Sequence, residues 1–207
     1  MGRTVPFVKA DKKILGTVIV LLVLVQGVYA ASERAIQRAE TMLLYQRDNG
    51  GWPKNYRELT EAEKAALVAQ KDRDDTTFDN GATHSEVRFL ARVYASTGDV
   101  RYKEAVLKGI AFILEAQYDN GGWPQFYPKT RGYSQHITFN DNAMIGVMRT
   151  LRDIAGPTPE FAFVDQATRA RAVEAIENGV SCILKCQIVV DGQRTAWCAQ
   201  HDEKTLA

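Results

Sequence analysis

Cysteine is scarce in this chain, with three in 207 residues, at positions 182, 186 and 198. A small secreted disulfide scaffold shows a denser, even-numbered set, so the fold must rest on a packed core. Cys182 and Cys186 are four apart and can share a helix face. Buried free thiols are the plain reading there, with one optional disulfide left open. A cysteine-only metal site wants tighter pairs and a fourth ligand. Histidine is equally sparse: His84, His136 and His201 stand far apart with no H-E-x-x-H pattern, which removes the usual zinc-hydrolase signature. No G-x-S-x-G elbow supports a Ser-His-Asp triad. No glycine loop cradles phosphate either, because the glycines of GGWP precede Trp-Pro rather than a helix opening on Lys and Ser or Thr. An excess of one charge is also missing, with 26 Lys+Arg against 25 Asp+Glu. Without a basic field, nucleic acid is not a natural partner.

One long apolar run exists, ILGTVIVLLVLVQGVYA at 14–30, preceded by Arg3, Lys9, Lys12 and Lys13. A positive start, an apolar middle and the small-residue pattern Val28-Tyr29-Ala30 describe a secretory signal peptide over 1–30. The rival is an uncleaved anchor, but residues 14–25 fall short of the roughly 20 apolar residues that a spanning helix needs. The expected domain is therefore 31–207, secreted or periplasmic, free of the membrane after cleavage and monomeric. Four bases and one acid fall in the leader, which leaves 22 Lys+Arg and 24 Asp+Glu in the domain. An acidic ligand would need local neutralisation by a cation or a few aimed Arg and Lys side chains.

What is present is a repeat. QRDNGGWP at 46–53 returns as QYDNGGWP at 117–124, and Gln187 follows at a similar spacing in ILKCQIVVDG. Each Gln ends an apolar helical stretch: TMLLYQ, AFILEAQ, CILKCQ. A repeat that cannot bury its apolar face alone must stack on its neighbours. The unit reads as a helical hairpin. Thr60 to Glu63 forms a capping-box pattern. Val87, Leu90, Ala91 and Tyr94 form an i, i+3, i+4, i+7 stripe. Gly98 stops one helix and Asp99 caps the next, while Asn140 and Asp165 are candidate caps for 141–155 and 166–187. Strand signals are weak apart from a short hairpin near ITFN and TAWC. The expected fold is all-α, an α/α toroid of three helical hairpins with a repeat of about 70 residues, incomplete at its C-terminal end.

Two polar clusters carry the candidate chemistry. ITFNDNA at 137–143 sets three oxygen donors in a row, Asn140, Asp141 and Asn142. A helix cap needs one such residue, not three, and hard cations such as Ca2+ take carboxylate and amide oxygens. An earlier segment, TFDNGAT at 77–83, has the same form, so both are site candidates. The second cluster is AQHDE at 199–203, where Trp197 and Cys198 point to a buried approach that leaves Asp202 at the core edge.

Several of these stretches together resemble the family 10 polysaccharide lyases, which are pectate lyases. They are NGGWPQFYP (120–128), HITFNDNAM (136–144), TAWCAQHDEKTLA (195–207), FDNGATHSEVRFLARVY (78–94) and GDVRYKEA (98–105). The resemblance covers about 36–207. It implies a partial α/α toroid and Ca2+-dependent β-elimination on polygalacturonate, the backbone of pectin. It also implies Asp141, Asn142 and Asp202 as metal ligands, with Asn140 and His201 as substrate-side neighbours. The family's base is an Arg beyond the segment matched by 200–202, and no Arg in 31–207 matches it. That departure implies a truncated lyase, weak or inactive alone, with its helix faces uncovered at the open end.

Other readings remain open on the residues themselves. Q-x-x-x-G-x-W also resembles the repeat of terpenoid cyclases, with DRDD at 72–75 as a faint echo of their acidic motif. An inverting glycoside hydrolase on an α/α barrel would use two separated carboxylates. A non-catalytic pectin-binding fragment is the reading outside enzymology.

Overall fold

The computed structural model describes residues 31–57, 59–128 and 131–207. The leader expected at 1–30 lies outside the described residues. Among the described residues six α-helices carry the fold: α1 Glu33–Tyr45, α2 Glu61–Val68, α3 His84–Thr97, α4 Val100–Glu115, α5 Ala143–Ala155 and α6 Gln166–Lys185. Four two-residue strands accompany them: β1 Ile137–Thr138, β2 Val189–Val190, β3 Gln193–Arg194 and β4 Gln200–His201. No helix among the described residues is long and apolar enough to cross a membrane.

Most helix boundaries follow the capping chemistry. Thr60 and Glu63 form the reciprocal capping box of α2. Gly98 closes α3 in the left-handed region at φ 71°, where its N–H reaches Tyr94. Asp99 and Asp165 cap α4 and α6 by accepting backbone N–H groups of Arg101 and Thr168. Asn140 does not cap α5. That helix starts two residues later, after Asp141 and Asn142 both adopt positive φ, and the Asn140 amide donates to Asp141 Oδ2 instead (2.5 Å). Two successive left-handed residues turn the chain sharply before the helix can begin.

Helices α3 and α4 pack as one hairpin and α5 and α6 as the next, with α3 against α5 joining them. Helix α1 stands where the second helix of the first hairpin belongs, and α2 is a short addition beside it. The architecture is a partial α/α toroid. Its buried residues form one continuous cluster running from Ala39 to Cys186. Cys182 and Cys186 lie inside it as free thiols, whereas Cys198 is exposed. Burial drives the Cys182 thiol up to about 12, so it stays protonated.

The repeated phrase is the joint between hairpins. Trp52 Nε1 donates to the carbonyl of Met42 at 2.8 Å, and Trp123 Nε1 to that of Ile113 at 2.9 Å. The Gln46 amide donates to Gly50 O and to Ala105 O of α4, both at 2.9 Å. The Gln117 amide does the same to Gly121 O and Ala175 O of α6, again at 2.9 Å. Each turn thus seats on the second helix of the following hairpin. Glycine is needed at the contact. A Cβ on Gly50 would lie 2.4 Å from Lys108 O, and one on Gly121 would lie 2.1 Å from Asn178 O. Gly109 and Gly179 on the receiving helices lie under Trp52 and Trp123 in the same way. The acidic run at 72–75 is also structural: Asp75 holds the buried Arg47 guanidinium with two contacts at 2.6 and 2.9 Å.

Four loop segments line up along one rim. Thr77 bridges Phe126, Pro124 bridges Ile137, and Ile137 pairs with His201 in the antiparallel β1–β4 ladder. The short hairpin of 189–194 stands apart from this strip and pairs only with itself.

Candidate functional site

The β1–β4 ladder is what brings the two polar clusters together. Its register sets Ile137 opposite His201 and Thr138 opposite Gln200, and it continues as the N–H groups of Phe139 and Asn140 donate to Ala199 O at 2.9 and 3.2 Å. Thirty-odd helical residues separate the clusters in sequence, yet three backbone contacts fix them side by side. Asn140, Asp141 and Asn142 are all exposed at one end of the ladder. Their positive-φ turn lifts them off the helix N-terminus, and none is spent on capping α5.

Asp202 sits at the other end, next to His136. One of its oxygens accepts from the N–H groups of Lys204 (2.9 Å) and Thr205 (2.7 Å) and from the Thr205 hydroxyl (3.0 Å). The Thr205 and Lys204 N–H groups hold its carboxyl below the usual carboxylate range, so it is ionised at neutral pH. Ligand atoms of His136, Asp202 and Glu203 all lie within 4.8 Å of one another, and His136 Nδ1 is 3.0 Å from Glu203 Oε2. Asp202 therefore groups with His136 and Glu203 in this structure, and Asp141 and Asn142 stand at the far end of the same ladder. The second GGWP turn borders this site, because the Asn120 amide donates to Glu203 O at 2.7 Å.

His201 is 2% exposed and stacks against Phe139. Its Nε2 accepts from the Cys198 N–H at 3.1 Å, which assigns the proton to Nδ1 facing Leu206 O at 3.1 Å. Both ring nitrogens are occupied inside the chain. The approach to the cluster is not buried as expected: Trp197 is 43% exposed and residues 191–199 are exposed throughout. His201 holds the end of that segment through the Cys198 N–H, while the Trp197 indole ties its middle to Ile183 O on α6 at 2.7 Å.

The two TF segments differ. In the first, Asn80 and Gly81 repeat the positive-φ pair, but Asp79 is buried and bound to Lys54. The first exposes Asn80 alone, whereas the second copy exposes all three of its Asn and Asp side chains. Beneath it lies His84, 4% exposed. Burial pushes His84 down to about 4, opposed by a hydrogen bond with the Asn142 backbone. The ring is neutral and supports the Asp141–Asn142 turn from below. Gly146 makes room for it, since a Cβ there would stand 2.3 Å from the imidazole.

Asp141, Asn142, Asp202 and Glu203 offer a hard set of carboxylates and an amide oxygen, with the His136 imidazole beside Asp202 and Glu203. Such donors suit Ca2+ rather than a soft transition metal. Sequence reasoning proposed the Asn140–Asn142 trio and Asp202 as candidates. It missed His136, Glu203, Asn120 and His84, whose roles depend on ladder register and on which helix lies under which turn. The one available signal was His136 standing immediately before ITFNDN.

Comparison with known proteins follows the same lines. Residues 46–207 match the family model "Pectic acid lyase". Among solved structures, a family 10 polysaccharide lyase from Cellvibrio cellulosa is 37% identical with a TM-score of 0.70, over 82% of this chain and 52% of that one. A mutant of that lyase in complex with trigalacturonic acid is 35% identical with a TM-score of 0.71, over 87% of this chain and 55% of that one. The search of curated proteins returned no match. The chain thus spans about half the length of the solved structures it resembles. With more than three-quarters of its residues under one family model and its rim loops built as described, this chain belongs to the pectic acid lyases.

Proposed function

We propose that this chain supplies the calcium- and substrate-binding part of a secreted pectate lyase that cleaves polygalacturonate by β-elimination. The observation that carries the reading is the β1–β4 ladder, which fixes two oxygen-rich segments on one rim. The proposed Ca2+ ligands are Asp141 and Asn142 at one end of the ladder and Asp202, with Glu203, at the other. When bound, the ion neutralises the uronate carboxylate and stabilises the enolate-like charge that develops beside it.

This chain's residues do the positioning. Asp202 is kept ionised by its own turn. His201 holds the ladder and orients the segment that carries Asp202, so its contribution is to hold the site rather than to touch substrate. Asn140 braces Asp141 through its amide and has its remaining amide hydrogen and its carbonyl for a sugar hydroxyl. A polyanion meets carboxylates here, so binding requires the cation between them. Removal of the proton beside the carboxylate falls to an Arg base, which no Arg of 31–207 matches by motif.

The test is retention on polygalacturonate with and without Ca2+, together with ultraviolet detection of unsaturated uronide. Binding should need Ca2+. Asp141→Ala and Asp202→Ala should each weaken it by more than the roughly tenfold typical of an outer-shell partner. Calcium-independent retention, or retention unchanged in both variants, overturns the ligand assignment. New reducing ends without uronide would make the protein a hydrolase instead.

A further inference from the structure

The repeat has a third joint, of which the sequence spacing gives Gln187 but not its Trp partner. In the first two joints a Trp indole N–H donates to the carbonyl four residues before the Gln, and the Gln amide donates to the carbonyl two residues before the Trp. The same two bonds recur at the end of the array. Trp197 Nε1 donates to Ile183 O at 2.7 Å, and the Gln187 amide donates to Thr195 O at 3.2 Å. Ile183 is four residues before Gln187, and Thr195 is two before Trp197. The β2–β3 hairpin lengthens the loop by four residues and hides the match from a fixed-spacing search.

What differs is the cover. Gln46 and Gln117 each make one further bond, to a carbonyl of the next hairpin's second helix. Trp52 and Trp123 are 0% exposed beneath the glycines of those helices, whereas Trp197 is 43% exposed. The helix position seven residues before the Gln shows the same break: Ala39 is 0% exposed, Ile110 1%, and Val180 46%. Leu184, on the same face of α6, is 50% exposed.

We infer that Gln187 and Trp197 form a third inter-hairpin joint, and that its occupant is a helix of a further hairpin from the part of the lyase fold this chain does not span. The covered joints define what that helix must offer. Ala105 and Gly109 on α4, and Ala175 and Gly179 on α6, place a carbonyl that accepts the Gln amide and a glycine four residues apart. The occupant should present the same pair, the carbonyl to Gln187 and the glycine under Trp197. Thr195 stands where Gly50 and Gly121 stand, so its Cβ keeps the helix from the close backbone approach seen there. The contact therefore rests on the Gln187 amide, the Trp197 ring and the Val180–Leu184 face.

Fluorotryptophan labelling of the 207-residue chain tests this by fluorine NMR, since the sequence holds three Trp and Trp197→Phe identifies the third signal. In the chain as it stands, Trp197 should respond to solvent isotope while Trp52 and Trp123 do not. Extending the chain after Ala207 with the second half of the Cellvibrio lyase should protect it, and Gln187→Ala or a glycine-to-valine change in the covering helix should reverse that. If the fusion does not fold, the second half is added in trans with the same readout. Trp197 remaining solvent-sensitive in a folded fusion, or in trans at saturation, overturns the inference. Protection that grows with the concentration of the 207-residue chain alone also overturns it, by assigning the joint to a second copy. The readout involves neither Ca2+ nor uronide, so it fails or succeeds separately from the proposed activity.

Discussion

Glu86 lies 5% exposed at the start of α3, where its carboxylate accepts from the Tyr56 hydroxyl at 2.8 Å and from Ser85 Oγ at 3.2 Å. Burial raises its pKa, and the hydrogen bonds offset that only in part. A carboxyl whose folded pKa is raised favours folding while it is protonated. That contribution is present below the unfolded value, about 4.3, and is lost as pH rises through the raised folded value. Glu86→Gln keeps an acceptor for Tyr56 and removes the buried charge. It should melt higher than the parent at neutral pH and show no advantage near pH 4, as thermal unfolding across that range would reveal. The same scale shows where sequence reading stops. Asn140, Asp141 and Asn142 stand out as candidates because three oxygens in a row exceed what a cap needs, and Asp202 because a polar segment follows TAWCA. Glu203 and His136 were not, because their meeting depends on a two-residue ladder whose register no local pattern encodes. The reading of Trp197 and Cys198 as buried failed for a related reason: aromatic and thiol side chains signal burial only if something covers them, and here the cover lies elsewhere.

Among the elements, the helices were legible from period and caps, and the boundaries followed Thr60, Gly98, Asp99 and Asp165 closely. The start of α5 was not, since nothing in NDN announces two left-handed residues. The joints give the sharpest expectation at this scale. A Cβ on Gly109 would stand 2.5 Å from Val87 and 2.9 Å from Trp52, and one on Gly179 would stand 3.0 Å from Trp123. Gly109→Val and Gly179→Val should each destabilise by about 1–3 kcal/mol, the usual range for overpacking, as measured by denaturant unfolding. Gly98→Ala strains only the left-handed turn, because nothing lies within 4 Å of its Cβ, and should cost about 1 kcal/mol.

Across the whole molecule, each joint ties one hairpin to the next and to no other. A chain assembled this way behaves as a one-dimensional lattice, with stability set by unit terms and nearest-neighbour couplings. Damage at one coupling should therefore spread by a single site. Hydrogen exchange in Gly109→Val should accelerate in the 46–53 turn and in α4 while α6 keeps its protection. Equal acceleration in α6 would show a longer cooperativity length. Among the described residues, the site formed by α6 and Trp197 is coupled on one side only, with Trp197 43% exposed. That hairpin should open first in native-state exchange, and its opening would pull on β4 through the chain that links them. The carboxylate of Asp202 would then be held least firmly whenever the terminal coupling is unmade, so the order of the site becomes a boundary condition of the array.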